Sequence, residues 1–568
     1  MANNVGSALS SLLTTGVTFA APLDTTVVPQ TGTGSATYTR ATVATVFDNE
    51  SVLRNVLSGE ARFQGARRVR NLLTNSEVLT GYTKSGLGTI TGGVSDPLGG
   101  TSAYTFTAGS ASEEFYQQVA AVVPIGASMV QSAWIRRRTG TGVIGIATHS
   151  GGVFTTVAVT TEWQRLSSAV GVTINTTAVF DIRITTSGDA IDVWHPQCEN
   201  VTGQSNQAPA EYVSVGVLST PFHGAGVDGV KYFSTTNGNS VASNVVTEAS
   251  GSPISASTLL GYLAEGAGTQ LVTPTASIRD MTNAAWVKGA TMTAALTGTG
   301  IDGVANSCSR LTGGAVAATN TAFQTLVAAA TSRTYSCYIK RVTGTGTINI
   351  TQNGGTGYTD ITSQINSSTF TRVSLNASVL NAAFGIQIVT SGDVILVDFN
   401  QFESGAFATS PMASAGAARN ADVLTYPFAG NASASVGSAY AELTTQWANT
   451  STAHSAIDFA DRTALYIDNA AATTIRLTDG TNAALKTGLT DMSTGLRKRV
   501  SSWGGSGLIV TGDGATVATS TFDGDIGSTA IGVGINAAGA SRNWFGTIRN
   551  VRIYSAQLSA AQLSAVTA

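Results

Sequence analysis

Candidate acids fall in two groups, Asp189, Asp192 and Glu199, and then Asp393, Asp398 and Glu403. Two carboxyl groups about 5–10 Å apart are what glycoside hydrolysis needs, one to protonate the leaving oxygen and the other to attack or to activate water. Asp189 and Asp393, however, each follow a glycine, and Asp in that place is a turn signal because its side chain satisfies nearby backbone amides. The remaining catalytic inventory is thin. His149, His195, His223 and His454 are scattered without metal-ligand spacing. The chain has no Gly-x-Ser-x-Gly elbow and no Gly-Lys-Ser/Thr phosphate loop. Cys198, Cys308 and Cys337 are odd in number and read as buried thiols made in a reducing compartment. No catalytic residue, cofactor or metal ligand is assigned.

Binding chemistry has better raw material. Exposed indole rings stack on the apolar faces of sugars, with amides and carboxylates completing the contact. Trp163, Trp194, Trp447, Trp503 and Trp544 are the candidates, while Trp286 and Trp544 are expected to pack between sheets. Trp194 and Trp503 are assigned as ligand-binding. Trp194 lies out of phase with Ile191 and Val193, so it should face away from their core. Its counterpart is Asp398, which confines that site to one half of the chain. Asp458, Asp461, Asp468, Asp523 and Asp525 fall in turns where calcium is conceivable, but their spacing fits no defined loop.

The elements that carry these residues are duplicated. Trp134-Ile135-Arg136-Arg137-Arg138-Thr139-Gly140-Thr141-Gly142 returns 204 residues later as Tyr338-Ile339-Lys340-Arg341-Val342-Thr343-Gly344-Thr345-Gly346. The same offset relates Phe180-Asp181-Ile182-Arg183-Ile184 to Phe384-Gly385-Ile386-Gln387-Ile388, and Ser187-Gly188-Asp189 to Ser391-Gly392-Asp393. A period this long is that of a whole domain, not of a solenoid. Alternation of Phe180, Ile182 and Ile184 with polar residues, then a Ser-Gly-Asp turn and Ile191 and Val193, predicts a β-hairpin with one buried face. The predicted fold is all-β, a multidomain chain of antiparallel β-sandwiches of which two are homologous. Five segments are expected: 1–66, 67–215 and 259–420 as the two copies, 216–258 as an extended or hairpin connector, and 421–568. The last ends in a strand through Tyr554 and a short helix over 555–563, with Ser555 as its cap.

Composition supports strands and tight turns. Charged residues are 11% of 568, net charge is −3 and there are 63 glycines, against about 25% charged residues in ordinary soluble domains. With 42% apolar residues the chain should fold. Arg67-Arg68-Arg70 and Arg136-Arg137-Arg138 are too small to form a nucleic-acid footprint. No run of about 18 apolar residues and no signal-like N-terminus is present, so neither membrane insertion nor signal-peptide export is expected.

The closing stretch, through Gly546, Ile548, Val551, Ile553, Tyr554, Leu558, Ser559 and Leu563, resembles the end of laminin-G and concanavalin-A-like jelly rolls. The two copies, each ending in Gln197-Cys198-Glu199 or Gln401-Phe402-Glu403, look like carbohydrate-binding-module jelly rolls. The order of Thr39–Asp48, Gly59–Phe63 and Asn71–Ser76 ahead of a jelly roll is similar to fibre and spike proteins of tailed bacteriophages, tail fibres and head fibres alike. That resemblance implies a structural virion protein, made in the host cytoplasm and homotrimeric. It would dock on other virion proteins through residues 1–66 and adhere to host-surface carbohydrate. A head fibre or capsid decoration protein without a receptor role is an alternative, as is a polysaccharide-degrading tailspike, which would require a β-helix with many short repeats.

Overall fold

The computed structural model describes residues 16–147, 152–217, 222–238, 251–316, 320–413, 418–449, 452–460, 464–467, 471–539 and 541–568. Nearly every element is an antiparallel strand. Among the described residues the one α-helix is Ala560–Thr567. Its cap is Ser559, not Ser555: the Ser559 hydroxyl accepts from the Gln562 amide, and the Gln562 side chain accepts from the Ser559 amide at 2.9 Å. A Ser with Gln three residues on is the reciprocal box that satisfies two orphan donors.

Each repeat is a two-sheet sandwich. In the first, one sheet runs in the order Phe154–Val157, Ile144–Ala147, Val179–Ile184, Glu113–Gln118, Thr83–Lys84. The sheet against it is centred on the long neighbours Ser128–Thr139 and Ala190–Asn200. The second repeats this plan, with Gly357–Asp360, Ile348–Asn353, Ala383–Ile388, Thr321–Thr325 and Val287–Lys288 facing a sheet centred on Ser332–Thr343 and Val394–Ser404. Phe180, Ile182, Ile184, Ile191 and Val193 share the first core, and Phe384, Ile386, Ile388, Ile395 and Val397 the second.

The expected hairpin is instead an arch. Val179–Ile184 pairs with Glu113–Gln118 and Ile144–Ala147, whereas Ala190–Asn200 pairs with Ser128–Thr139 and Ala103–Thr107 in the opposite sheet. The chain crosses from one layer to the other at Ser187-Gly188-Asp189. Both arrangements bury the same alternate residues, so periodicity alone does not separate them.

The repeated Thr-Gly-Thr-Gly motif clamps that arch. The Asp189 carboxylate accepts from the Gly142 amide at 2.6 Å, and Arg137 binds Asp189 at 3.5 Å and the Gly142 carbonyl at 2.8 Å. Asp393 accepts from the Gly346 amide at 2.8 Å, and Arg341 binds Asp393 at 3.0 Å and the Gly346 carbonyl at 2.8 Å. Gly140 (φ +81°) and Gly344 (φ +83°) pass so close that a Cβ would lie 1.9 and 1.7 Å from the Asp oxygens. Only glycine fits there.

The terminal sandwich is assembled from distant parts of the chain. Gly546–Tyr554 pairs with Gly437–Leu443 on one side. Its other side takes Val17–Ala21 and Gly261–Ala264, and Phe63–Gln64 adds beyond the latter. In the facing sheet, Thr37–Thr39 pairs with Val423–Tyr426. Three strands of the 1–66 segment, expected to stand apart for attachment, therefore lie in the same sheets as strands of residues 421–568: Val17–Ala21, Thr37–Thr39 and Phe63–Gln64; residues 1–15 lie outside the described residues. The reason is physical: Phe19, Ala21 and Phe63 are buried in this core, and the added strands cover a sheet edge that would otherwise present unpaired amides and carbonyls. Within the 216–258 connector, the strand Val230–Phe233 pairs with Arg67–Arg70.

Buried charge ties these pieces together. Arg62 contacts Glu265 at 2.8 Å and Asp422, Arg40 contacts Asp422 at 2.9 Å, and Arg419 contacts Glu265 at 2.9 Å. Side-chain exposure at these five positions is 0–2%. The Glu265 carboxylate also accepts from Ser410 and Gln446. Ions removed from water this completely are tolerable only when paired and hydrogen-bonded.

Candidate functional site

Because Phe180, Ile182 and Ile184 point into the core, Asp181 and Arg183 must emerge on the outer face of their sheet. Register places Tyr116 opposite Asp181 and Glu114 opposite Arg183. On the other side Gly145 lies opposite Arg183, and beyond it Thr156 pairs with Gly145 and Phe154 with Ala147. Tyr116 and Phe154 are half-buried and flank the polar centre from strands three spacings apart, a span of about 14 Å at the usual interstrand distance. The Arg183 guanidinium packs 4.0 Å from the Phe154 ring centroid. Gly145 leaves the room that ring needs, since a Cβ there would sit 2.9 Å from Phe154.

Asp181 is the unusual member. It is only 2% exposed, and its Oδ1 has no hydrogen-bond partner among the described residues. Burial pushes its carboxyl up to about 7, the nearby Glu114 adds to that, and Arg183 opposes it. Such a carboxyl is a strong acceptor awaiting a donor.

The second sandwich repeats the frame and changes the centre. Phe323 lies opposite Gly385, as Tyr116 does opposite Asp181. Asp360 pairs with Asn349, which places Tyr358 at the position of Phe154. Phe323 and Tyr358 are also half-buried. Between them Asn349 donates to Gln387 Oε1 at 2.8 Å. Two aromatic rings rimming a polar strip, on both copies, can hold a flat, hydroxyl-rich ligand: rings stack on apolar faces while carboxylate, amide or guanidinium groups meet hydroxyls.

The tryptophans assigned from sequence are not such rings. Trp194 does leave the Ile191–Val193 core, but the far side of its sheet is covered too. It is 3% exposed in a small cluster with Val94, Ala103 and Trp134, stacks on His195 at 3.3 Å, and donates to Ser102 Oγ at 2.8 Å. Trp503 is fully buried, 5.4 Å from Phe459, and donates to the Ser433 carbonyl. Trp286, Trp447 and Trp544 are buried as well, and Trp163 is half-buried beneath Arg136. The signal that pointed to the outer faces was present in the sequence: the residues out of phase with Phe180 and Ile182, and Tyr116 out of phase with Phe115.

The candidate acids are occupied elsewhere. Asp192 binds Arg136, Arg138 and Thr105, and Asp398 binds Arg279 and the Ile301 amide. Glu199 and Glu403 accept from Gln197 and Gln401 and from the Ala210 and Thr409 amides, fastening the chain that leaves each sandwich. Asp458 accepts from Ser455 and the Ala460 amide. Asp461, Asp468 and His149 lie outside the described residues. No group of three His, Cys, Asp or Glu side chains among the described residues is arranged to hold a metal ion. Cys198, Cys308 and Cys337 are buried and unbridged, and burial pushes the Cys198 thiol up to about 12. No described helix is long and apolar enough to cross a membrane.

No protein-family model matches the chain, and no curated protein does. Among solved structures it is similar to the tandem CBM22-1–CBM22-2 domain of Paenibacillus barcinonensis Xyn10C, at 11% identity over 60% of this chain and 97% of that one, with a TM-score of 0.20. It is also similar to the CBM40 of the Ruminococcus gnavus IT-sialidase bound to α2,3-sialyllactose, at 18% identity over 24% of this chain and 84% of that one, TM-score 0.20. A third is the mouse laminin α1 chain, domains LG4–5, at 11% identity over 51% and 89% of the two chains, TM-score 0.18.

Proposed function

We propose that the chain is a non-catalytic, carbohydrate-binding protein with one binding face on each repeated sandwich. The observation that carries this reading is the recurrence of half-buried rings at matching outer-face positions, Tyr116 and Phe154, then Phe323 and Tyr358, around a polar strip. Two faces on one chain raise the effective concentration of the second contact, so weak single-site affinities give firm attachment to a repetitive glycan. The test is binding of the full chain to an oligosaccharide array, with Tyr116→Ala/Phe154→Ala and Phe323→Ala/Tyr358→Ala made separately and together. Each pair should weaken binding and the four together abolish it, with circular dichroism unchanged. A fourfold variant that binds like the wild type overturns the reading.

Within it, we place the protein as a fibre-type adhesin of a bacteriophage virion, attaching to host-surface glycan. Support comes from the order of the segments at 39–48, 59–63 and 71–76 before the first sandwich. Immunogold labelling of virions with antibody to residues 421–568 tests this. Gold at the tail tip supports receptor binding; gold over the head favours a decoration role; unlabelled particles refute a virion location. A homotrimer is the assembly expected, and a monomer by light scattering would count against it.

A further inference from the structure

The two faces share their rings but not their centres. In the first, Asp181 is buried at the middle of the strip with an unpartnered oxygen among the described residues, beside Glu114 and Arg183. In the second the equivalent residue is Gly385, and this is not a neutral exchange. A Cβ at Gly385 would lie 2.0 Å from the Ala322 carbonyl and 2.8 Å from the Phe323 ring, so the neighbouring strand's backbone and that ring leave no space for a side chain. The second face therefore excludes an acid at its centre and presents the Asn349–Gln387 amides instead. Amides both donate and accept, whereas an ionised carboxylate only accepts.

Resting on the glycan-binding reading, we infer that Asp181 is the specificity-determining residue of the first face, accepting hydrogen bonds from adjacent sugar hydroxyls, so that the two sandwiches select different sugars. The face gives the buried acid a use. A buried carboxyl with one oxygen lacking a hydrogen-bond donor among the described residues weakens the fold, and departures of this kind are expected at functional sites. Its titration supports the same role. Around it lie Glu114 and Tyr116 on one neighbouring strand, Gly145 and Ala147 on the other, and Arg183 on its own; of these, Glu114 and Arg183 carry charge. Only the ionised form accepts with both oxygens, so affinity at this face should rise as pH increases through about 7, the value to which burial pushes Asp181.

The test uses the full chain with one face silenced at a time. Phe323→Ala/Tyr358→Ala leaves the first face, and Tyr116→Ala/Phe154→Ala the second. Each is probed with an array of neutral, amino-bearing and carboxylate-bearing oligosaccharides at pH 6 and pH 8. The first face should bind array members that the second does not, more tightly at pH 8. Asp181→Asn should lower first-face affinity by roughly ten- to a hundredfold, the effect of losing a charge-assisted hydrogen bond. It should also flatten the pH profile, leave the second face unchanged and raise Tm at pH 8. Identical array profiles for the two faces overturn the inference while leaving glycan binding intact, as does an Asp181→Asn variant that binds like its parent. Should neither face bind any array member, the glycan reading falls as well. A fall in Tm on Asp181→Asn would instead make the carboxylate a structural group.

Discussion

Replacing Asp422 with alanine should loosen the junction between the second sandwich and the terminal one. The Asp422 carboxylate accepts from Tyr38 Oη at 2.6 Å, Arg40 Nη1 at 2.9 Å, the Glu265 amide at 3.1 Å and Arg62 Nη2. Side-chain exposure of Arg40, Arg62 and Asp422 is 0%. Without the acid, Arg40 keeps only the Tyr38 hydroxyl and the carbonyls of Thr42 and Leu57, and Arg62 must share Glu265 with Arg419. Stranding one member of a buried pair costs about 3–5 kcal/mol, roughly two to nearly four orders of magnitude in the opening equilibrium. Native-state hydrogen exchange on Val423–Tyr426 and Gly261–Ala264 reads this locally, without requiring the multidomain chain to unfold in one step. Arg138→Ala is the control: its side chain is 49% exposed on Asp192, and such pairs are worth about 0–1 kcal/mol. The sign with pH is fixed too. Burial alone would raise both carboxyls, but Arg62 and Arg40 outweigh it at Asp422, and Arg419 and Arg62 at Glu265, holding both below the usual range. Their contribution is complete above the ordinary carboxylate pKa of about 4 and is lost as pH falls through the lower folded values. An Asp422→Ala chain within about 1 kcal/mol of wild type, or with unchanged acid sensitivity, would refute the argument.

Three further outcomes are expected. Gly344→Ala should destabilise the second sandwich more than Gly392→Ala does, although both glycines have positive φ, because only Gly344 lacks room for a Cβ; thermal denaturation of the two variants decides it. Raising pH from 5 to 8 should destabilise the first sandwich by on the order of 2–4 kcal/mol, since a carboxyl whose folded pKa is raised favours the protonated fold, and Asp181→Asn should remove that slope in a denaturation series. Trp503→Ala should cost about 3–5 kcal/mol, as a fully buried aromatic does, while leaving oligosaccharide binding per folded molecule intact; a selective loss of binding would restore Trp503 as a ligand contact.

The sequence by itself determined which residues alternate into a core and that one domain is present twice. Phe180, Ile182 and Ile184, with their partners 204 residues on, carry both messages, because strand periodicity and internal repetition are local properties of the chain. The turn role of Asp189 and Asp393 was legible for the same reason. Only the tertiary structure decided what those strands pair with. An arch and a hairpin bury the same alternate side chains, and nothing near Val17–Ala21 announces a partner more than 500 residues away at Val551–Tyr554. The functional faces belong to this second class. Tyr116, Phe154 and Asp181 come from three separate strands, and a strand pattern says which side of a sheet a residue takes but not whether that side is covered. The far side of the Trp194 strand is covered by Trp134 and Val94; on the outer face of the other sheet Tyr116 and Phe154 stay half-buried while Asp181 between them is 2% exposed, and sheet packing, set by long-range burial, made the difference.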